Sequence, residues 1–287
     1  MEPRALILCP LTLRPGLFAC TPQEYGEILD AGVRAGYRGV SVAMIDVEIA
    51  AAAGGSIDGF LGQFGERGLS LPIVEAISGW GQGQSEVEIA EQATPVLEFA
   101  ARAGAEVVVA ISTEPTIPSL AVAARGFRFL CALAQSHGLK VAIEFFPWGG
   151  IGDIRTARDV VMEAGAPGGG ICLDIWHWAR APGGLDWEGL RGFPADQIHV
   201  VQIDDAAAEA QADPMRETLR GRLLPGEGVA CVVDVLRVLR EIGADPLFAP
   251  EVFSRRLFEE GPGAMALQVA RSSRAVLSQA GYDLEGR

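Results

Sequence analysis

Eight short, nearly continuous apolar runs punctuate this chain at regular intervals, and longer stretches with helical character separate them. The runs are Ala5–Cys9, Gly39–Ala43, Ser70–Ala76, Glu106–Ile111, Lys140–Phe145, Gly170–Asp174, Ile198–Asp204 and Leu247–Phe253, most of them rich in Val, Ile and Leu. Strands that are apolar throughout must be covered on both faces, as parallel strands flanked by helices are. Helices are expected at Pro22–Ala35, Ser56–Arg67, Glu86–Ala103, Ser119–His137, Ile154–Ala164, Asp186–Arg191, Cys231–Ile242 and Pro262–Ala280. Thr21-Pro22 supplies an N-cap followed by proline at the first helical position. Ala103-Gly104, His137-Gly138 and Ala164-Gly165 close helices ahead of the next strand. Gly81, Gly83, Gly149, Gly150, Gly168, Gly169 and Gly170 read as loop and turn glycines.

Eight strand–helix alternations are what an α/β protein of the (β/α)8 TIM barrel type requires. A doubly wound open sheet usually has about five to seven strands, and no Gly-rich dinucleotide fingerprint follows the first run. The length of 287 residues suits one barrel domain spanning 1–287, with no linker or low-complexity tract to divide it.

The formal net charge of −14 repels phosphate backbones and anionic bilayers, so neither nucleic acid nor membrane is an expected partner. No uncharged stretch approaches the ~20 residues needed to cross a bilayer. Met1–Pro10 lacks a signal-type cleavage context, and the expected location is the cytoplasm. The five cysteines, Cys9, Cys20, Cys131, Cys172 and Cys231, are never spaced as CxxC and read as free thiols in a reducing compartment. Apolar barrel helices permit a homo-oligomer, although no particular patch stands out.

Reactive residues of such barrels lie at the C-terminal ends of the strands. Strand five ends on Glu144 and strand six on Asp174. Strand seven carries Gln202 and then Asp204-Asp205, and strand eight leads to Glu251. Three acids and an amide on four consecutive strands would converge once the barrel closes, and without a counter-ion the acids would raise one another's pKa. A divalent cation removes that repulsion. The all-oxygen set Glu144, Asp174, Gln202 and Glu251 suits one Mn2+ or Mg2+ ion better than zinc or copper.

At this point the chain resembles the xylose isomerase-like barrels, the sugar phosphate isomerase/epimerase or endonuclease IV-like superfamily. The matching segments are Ile143-Glu144-Phe145-Phe146-Pro147-Trp148, Leu173-Asp174-Ile175-Trp176-His177, Val201-Gln202-Ile203-Asp204-Asp205, Arg222-Leu223-Leu224-Pro225-Gly226-Glu227-Gly228 and Pro250-Glu251-Val252-Phe253. The likeness covers about Lys140 to Phe253; before it, Gly36-Tyr37-Arg38-Gly39-Val40-Ser41 is the most recognisable piece. The resemblance implies that Glu144, Asp174 and Glu251 are metal ligands, that His177 contacts substrate or supports the ligands, and that Arg222 meets the substrate. Gln202 departs from the pattern, because isomerases and epimerases of this kind usually have histidine there. In that respect the chain resembles the dehydroshikimate dehydratase branch.

The expected activity is that of a divalent-metal-dependent isomerase or epimerase acting on a small polyhydroxylated substrate, a sugar or polyol-derived hydroxy-ketone. It would abstract a carbon-bound proton through a metal-stabilised enediolate, with His177, Glu144 or Glu251 as the base. Departure of a β-hydroxyl would instead make the chain a dehydratase, a lyase of the dehydroshikimate or inosose type. A non-catalytic or partner-dependent barrel subunit is the alternative from another class. A DNA-repair endonuclease would need more than the three histidines present. Trp148 is expected to wall the substrate ring, and Glu75 to line the pocket with Trp80 near it. His199 and His137 read as structural, the first because it lies on the opposite strand face from Gln202.

Overall fold

The structure, a computed structural model, describes residues 5–14 and 20–283, so the first four residues of the Met1–Pro10 stretch lie outside the described residues. The strands are β1 (Ile7–Leu8), β2 (Gly39–Ala43), β3 (Ser70–Ile77), β4 (Val107–Ile111), β5 (Lys140–Glu144), β6 (Gly169–Asp174), β7 (Ile198–Ile203) and β8 (Leu247–Pro250). They form one sheet in the order β1 to β8, the topology of a (β/α)8 TIM barrel. The helices are α1 (Pro22–Arg34), α2 (Met44–Ala52), α3 (Ile57–Gly65), α4 (Glu86–Ala103), α5 (Leu120–Ser136), α6 (Ile154–Ala164), α7 (Ile175–Arg180), α8 (Trp187–Arg191), α9 (Pro214–Arg220), α10 (Val232–Glu241), α11 (Arg255–Phe258) and α12 (Pro262–Gln279). No helix among the described residues is long and apolar enough to cross a membrane.

Contacts within the chain define two compact units. One comprises the described parts of Met1–Pro72, Gln202–Arg237 and Leu247–Arg287, the other Ile73–Val201 and Val238–Pro246. In the first, β1 pairs in parallel with β2, Ile7 opposite Gly39, and also lies against β8. Helix α12 packs on α1, and Arg274 ties them by donating to the carbonyls of Ala35 and Gly36 at 2.9 and 2.8 Å. In the second, β5 is flanked by β4 and β6, with Ile111 opposite Glu144 and Glu144 opposite Cys172. That register sets Asp174 two residues beyond the partner of Glu144. Val108, Val141, Ala142, Ile143, Ile171 and Leu173 are wholly buried, as apolar strands with two covered faces should be.

The start of α1 follows the expected cap at Thr21, and a second capping box appears at α4. Thr21 accepts from the Glu24 amide while Glu24 accepts from the Thr21 amide, and Ser85 with Glu88 repeats this capping box at α4. Gly104, Gly138 and Gly165 have positive φ where helices end. Four helices were not anticipated. Helix α2 spreads apolar residues around its surface, broken only by Asp46 and Glu48, and has no side-chain cap, so no periodic stripe announces it. Helix α7 is six residues long and begins on Asp174, and α9 and α11 are also short.

Gly169 and Gly170 correct the turn reading, since both lie within β6. The reason is a close approach: a Cβ on Gly170 would sit 2.1 Å from the Gln197 carbonyl oxygen and 2.6 Å from His199 Nε2. His199 fills that space, and its Nε2–H donates to the Gly168 carbonyl at 3.1 Å. Burial, with Lys140 adding to it, pushes the imidazole down from 6.5 to about 4. The unfolded chain therefore takes up a proton below pH 6.5 that the folded protein refuses. This stabilisation is complete above that pH and is lost as pH falls toward 4, a change of about 3 kcal/mol. His199→Gln is expected to flatten the acid limb of a plot of Tm against pH between 7 and 4, leaving the rest of the curve parallel to wild type.

Candidate active site

Glu144 closes β5 and Asp174 closes β6, both buried. Asp174 is also the N-cap of α7, where its Oδ1 accepts the His177 amide at 2.7 Å. The cap fixes one carboxylate oxygen and turns the helix so that the His177 ring returns to the strand ends. His177 Nε2 then lies 3.5 Å from Asp174 Oδ2 and 3.9 Å from Glu144 Oε1. The three side chains offer ligand atoms that all lie within 4.8 Å of one another. Two buried carboxylates this close need a cation, a shared proton or donors to offset their repulsion.

Aromatic rings surround the imidazole. Phe146 meets it edge-on at 4.7 Å between centroids, Trp176 edge-on at 5.3 Å, and Trp148 tilted at 5.4 Å. Phe146 and Trp148 stack on each other at 5.5 Å. Trp148 is half-buried beside His177. Glu75 sits half-buried near the end of β3. Trp80 is a scaffold residue: it is wholly buried, its Nε1 donates to the Ile111 carbonyl at 3.0 Å, and its ring leans on Phe127.

The first unit holds the other candidates. Gln202 is 1% exposed, and its Oε1 has no hydrogen-bond partner among the described residues. An orphaned carbonyl oxygen at such depth costs on the order of 1–3 kcal/mol unless something binds it. Glu251 follows β8, its amide donating to the Ile203 carbonyl at 3.2 Å. Cys9, just past β1, contacts Glu251 Oε1 through Sγ at 3.5 Å. Arg222, 2% exposed, reaches Glu251 Oε2 at 3.3 Å and lies over the Phe253 ring at 5.1 Å.

Asp204 and Asp205, adjacent in sequence, do different work. Asp204 pairs with Arg222. Asp205 gathers the Pro225-Gly226-Glu227-Gly228 loop: its carboxylate accepts the amides of Ala206, Gly226, Gly228 and Ala230 at 2.8, 3.0, 2.9 and 2.9 Å. The sequence offered a signal for this in an acid pair after an apolar strand together with a Pro-Gly-x-Gly turn. Cys9 is the free buried thiol expected, but its contact with Glu251 was not anticipated, since a lone cysteine at a strand end carries no spacing.

A divalent ion fits this chemistry. In the second unit Glu144 and Asp174 offer carboxylate oxygens with His177 as a nearby nitrogen, and in the first the orphaned Gln202 oxygen is of the kind that hard cations take.

Residues 29–277 match a family described as xylose isomerase-like TIM barrel. Among solved structures, the IolI protein with a bound zinc atom superposes with a TM-score of 0.81 at 20% identity, covering 97% of this chain and 99% of that one. The probable 3-DHS dehydratase AsbF of Bacillus anthracis gives 0.72 at 12% identity, covering 94% and 98%. An L-ribulose 3-epimerase gives 0.70 at 14%, covering 96% and 95%. No curated protein sequence matches. With the family match extending over most of its length, the chain belongs to the xylose isomerase-like TIM barrel family.

Proposed function

We propose that this protein is a divalent-metal-dependent isomerase or epimerase of a sugar or polyol-derived hydroxy-ketone. The observation that carries the reading is the buried Glu144–Asp174–His177 group at the ends of β5 and β6. The proposed ligands are Glu144, Asp174, Gln202 and Glu251, one at the end of each of the four consecutive strands from β5 to β8. Their oxygen donors favour Mn2+ or Mg2+. When bound, such an ion supplies Lewis-acid stabilisation of the charge that develops on substrate oxygens.

The chain's own groups handle the rest. Asp174, held by the α7 amide through Oδ1, keeps Oδ2 turned toward His177. His177 is proposed to hold or move the proton at Nε2, with Glu144 and Glu251 as the other proton-accepting candidates. Phe146, Trp148 and Trp176 exclude water around that imidazole and give the substrate an apolar wall.

Gln202 supports a second reading, a dehydratase. It stands where isomerases and epimerases of this kind usually have histidine, and the fold is shared with a probable 3-DHS dehydratase. Both readings begin with removal of a proton beside a carbonyl; they differ in whether it returns or a β-hydroxyl leaves.

The test is metal content by plasma mass spectrometry on protein purified without chelators, followed by a screen of keto-sugars, inosose-type polyols and dehydroshikimate. About one equivalent of divalent metal and an epimerised product support the first reading. Loss of water with new ultraviolet absorption from a conjugated double bond supports the second. Protein that neither retains nor takes up a divalent ion would end both. His177→Ala is expected to retain the metal and lose over ~100-fold in turnover; unchanged turnover would remove His177 from proton transfer.

A further inference from the structure

In the first unit, two buried acids share one arginine unequally. Arg222 Nη1 lies 2.5 Å from Asp204 Oδ2 but 3.3 Å from Glu251 Oε2. The same nitrogen donates to the Glu251 carbonyl at 3.1 Å, while Nε and Nη2 donate to the Thr218 carbonyl and Oγ1, both at 2.9 Å. Asp204 is wholly buried and belongs to none of the proposed ligand positions.

An arginine facing Glu251 alone would present a problem for a metal ligand. In a dry site its full charge would pair with the carboxylate and compete with any cation for it. Asp204 removes that competition. By taking the shorter contact it balances the guanidinium, so the arginine orients Glu251 through Nη1 alone while Glu251 keeps its negative charge.

We propose that Asp204 is a positioning residue that neutralises Arg222, so that Glu251 is held in place yet remains an anionic ligand. This rests on the reading of Glu251 as a metal ligand given above. Arg222 then acts on the reaction through Glu251, and the charge of the Asp204–Arg222 pair, rather than either residue alone, sets how firmly the ion is held.

The experiment is titration with Mn2+ alone, following the free ion by electron paramagnetic resonance. Asp204→Asn preserves shape and an oxygen acceptor but releases the charge of Arg222, and is expected to weaken Mn2+ binding by about 10- to 100-fold. Adding Arg222→Gln to that variant removes the released charge and should return affinity to within about tenfold of wild type, a rescue that a merely structural role for Asp204 would not produce. Saturating Mn2+ should restore most of the turnover of Asp204→Asn.

Wild-type affinity in Asp204→Asn would overturn the proposal, as would a double variant weaker than the single one. If Asp204→Asn does not fold, the double variant, which buries no unbalanced arginine, carries the test. Affinity within about tenfold of wild type supports the proposal, and any larger loss overturns it. Failure of the underlying reading looks different: either wild type takes up no Mn2+, or Glu251→Gln binds it as wild type does.

Discussion

Glu251→Ala is expected to release the divalent ion and to lower turnover by ~1000-fold or more. Losing a proposed ligand would forfeit the several kcal/mol of charge stabilisation that a bound ion would provide, and each 1.4 kcal/mol or so is a factor of ten in rate. The fold should survive, because Arg222 keeps Asp204 at 2.5 Å and no buried charge is left alone. Metal content, circular dichroism and turnover on the substrate found by screening check all three parts. Retained metal with normal turnover would remove Glu251 from the site; loss of metal together with unfolding would make its role architectural. Cys9, at 3.5 Å from Glu251 Oε1, would lose that contact in the variant, a minor effect because thiols are weak donors.

Asp205→Ala should be strongly destabilising, costing about 3–5 kcal/mol and lowering Tm by roughly 10 °C. One carboxylate accepts four backbone amides, and the side chain is buried at 2% exposure. Bonds to a charged acceptor are worth more than neutral ones. The amides of Ala206 and Ala230 are buried, while exposed Gly226 can recover water, which keeps the total below four full bonds. Asp205→Asn should lie between the variant and wild type, since one acceptor oxygen remains. Thermal unfolding followed by circular dichroism measures the series. A shift under 2 °C or so in Asp205→Ala would mean that the Pro225–Gly228 turn holds itself.

The barrel topology was legible because its signals are local. Continuous apolarity marks a strand buried on both faces, as in β5 and β6, and a Thr followed by Pro marks a helix start, as at Thr21-Pro22. Legibility failed where an element lacks a contrast between faces or is too short to repeat. Helix α2 is the first case, and α7 is the second. The strand-end rule drew attention to Glu144, Asp174, Gln202 and Glu251, but it was silent about how Asp174 is used. Asp174 serves at once as strand end and helix cap, and the cap is what brings His177 Nε2 to 3.5 Å from its other oxygen.

The chain's own pattern therefore settled the β/α order, the caps and the residue types at the strand ends, all of which depend on neighbours within a few positions. Packing alone decided that Gly170 must be bare because His199 occupies its face, and that aromatic rings from two segments enclose His177. Packing also assigned the adjacent acids Asp204 and Asp205 to an arginine and to a loop. These pairings join residues up to 25 positions apart, Asp205 with Ala230, and depend on distances that no local preference encodes. Identical side chains next to each other in sequence acquire different chemistry because a strand end turns one toward Arg222 and leaves the other to the Pro-Gly turn.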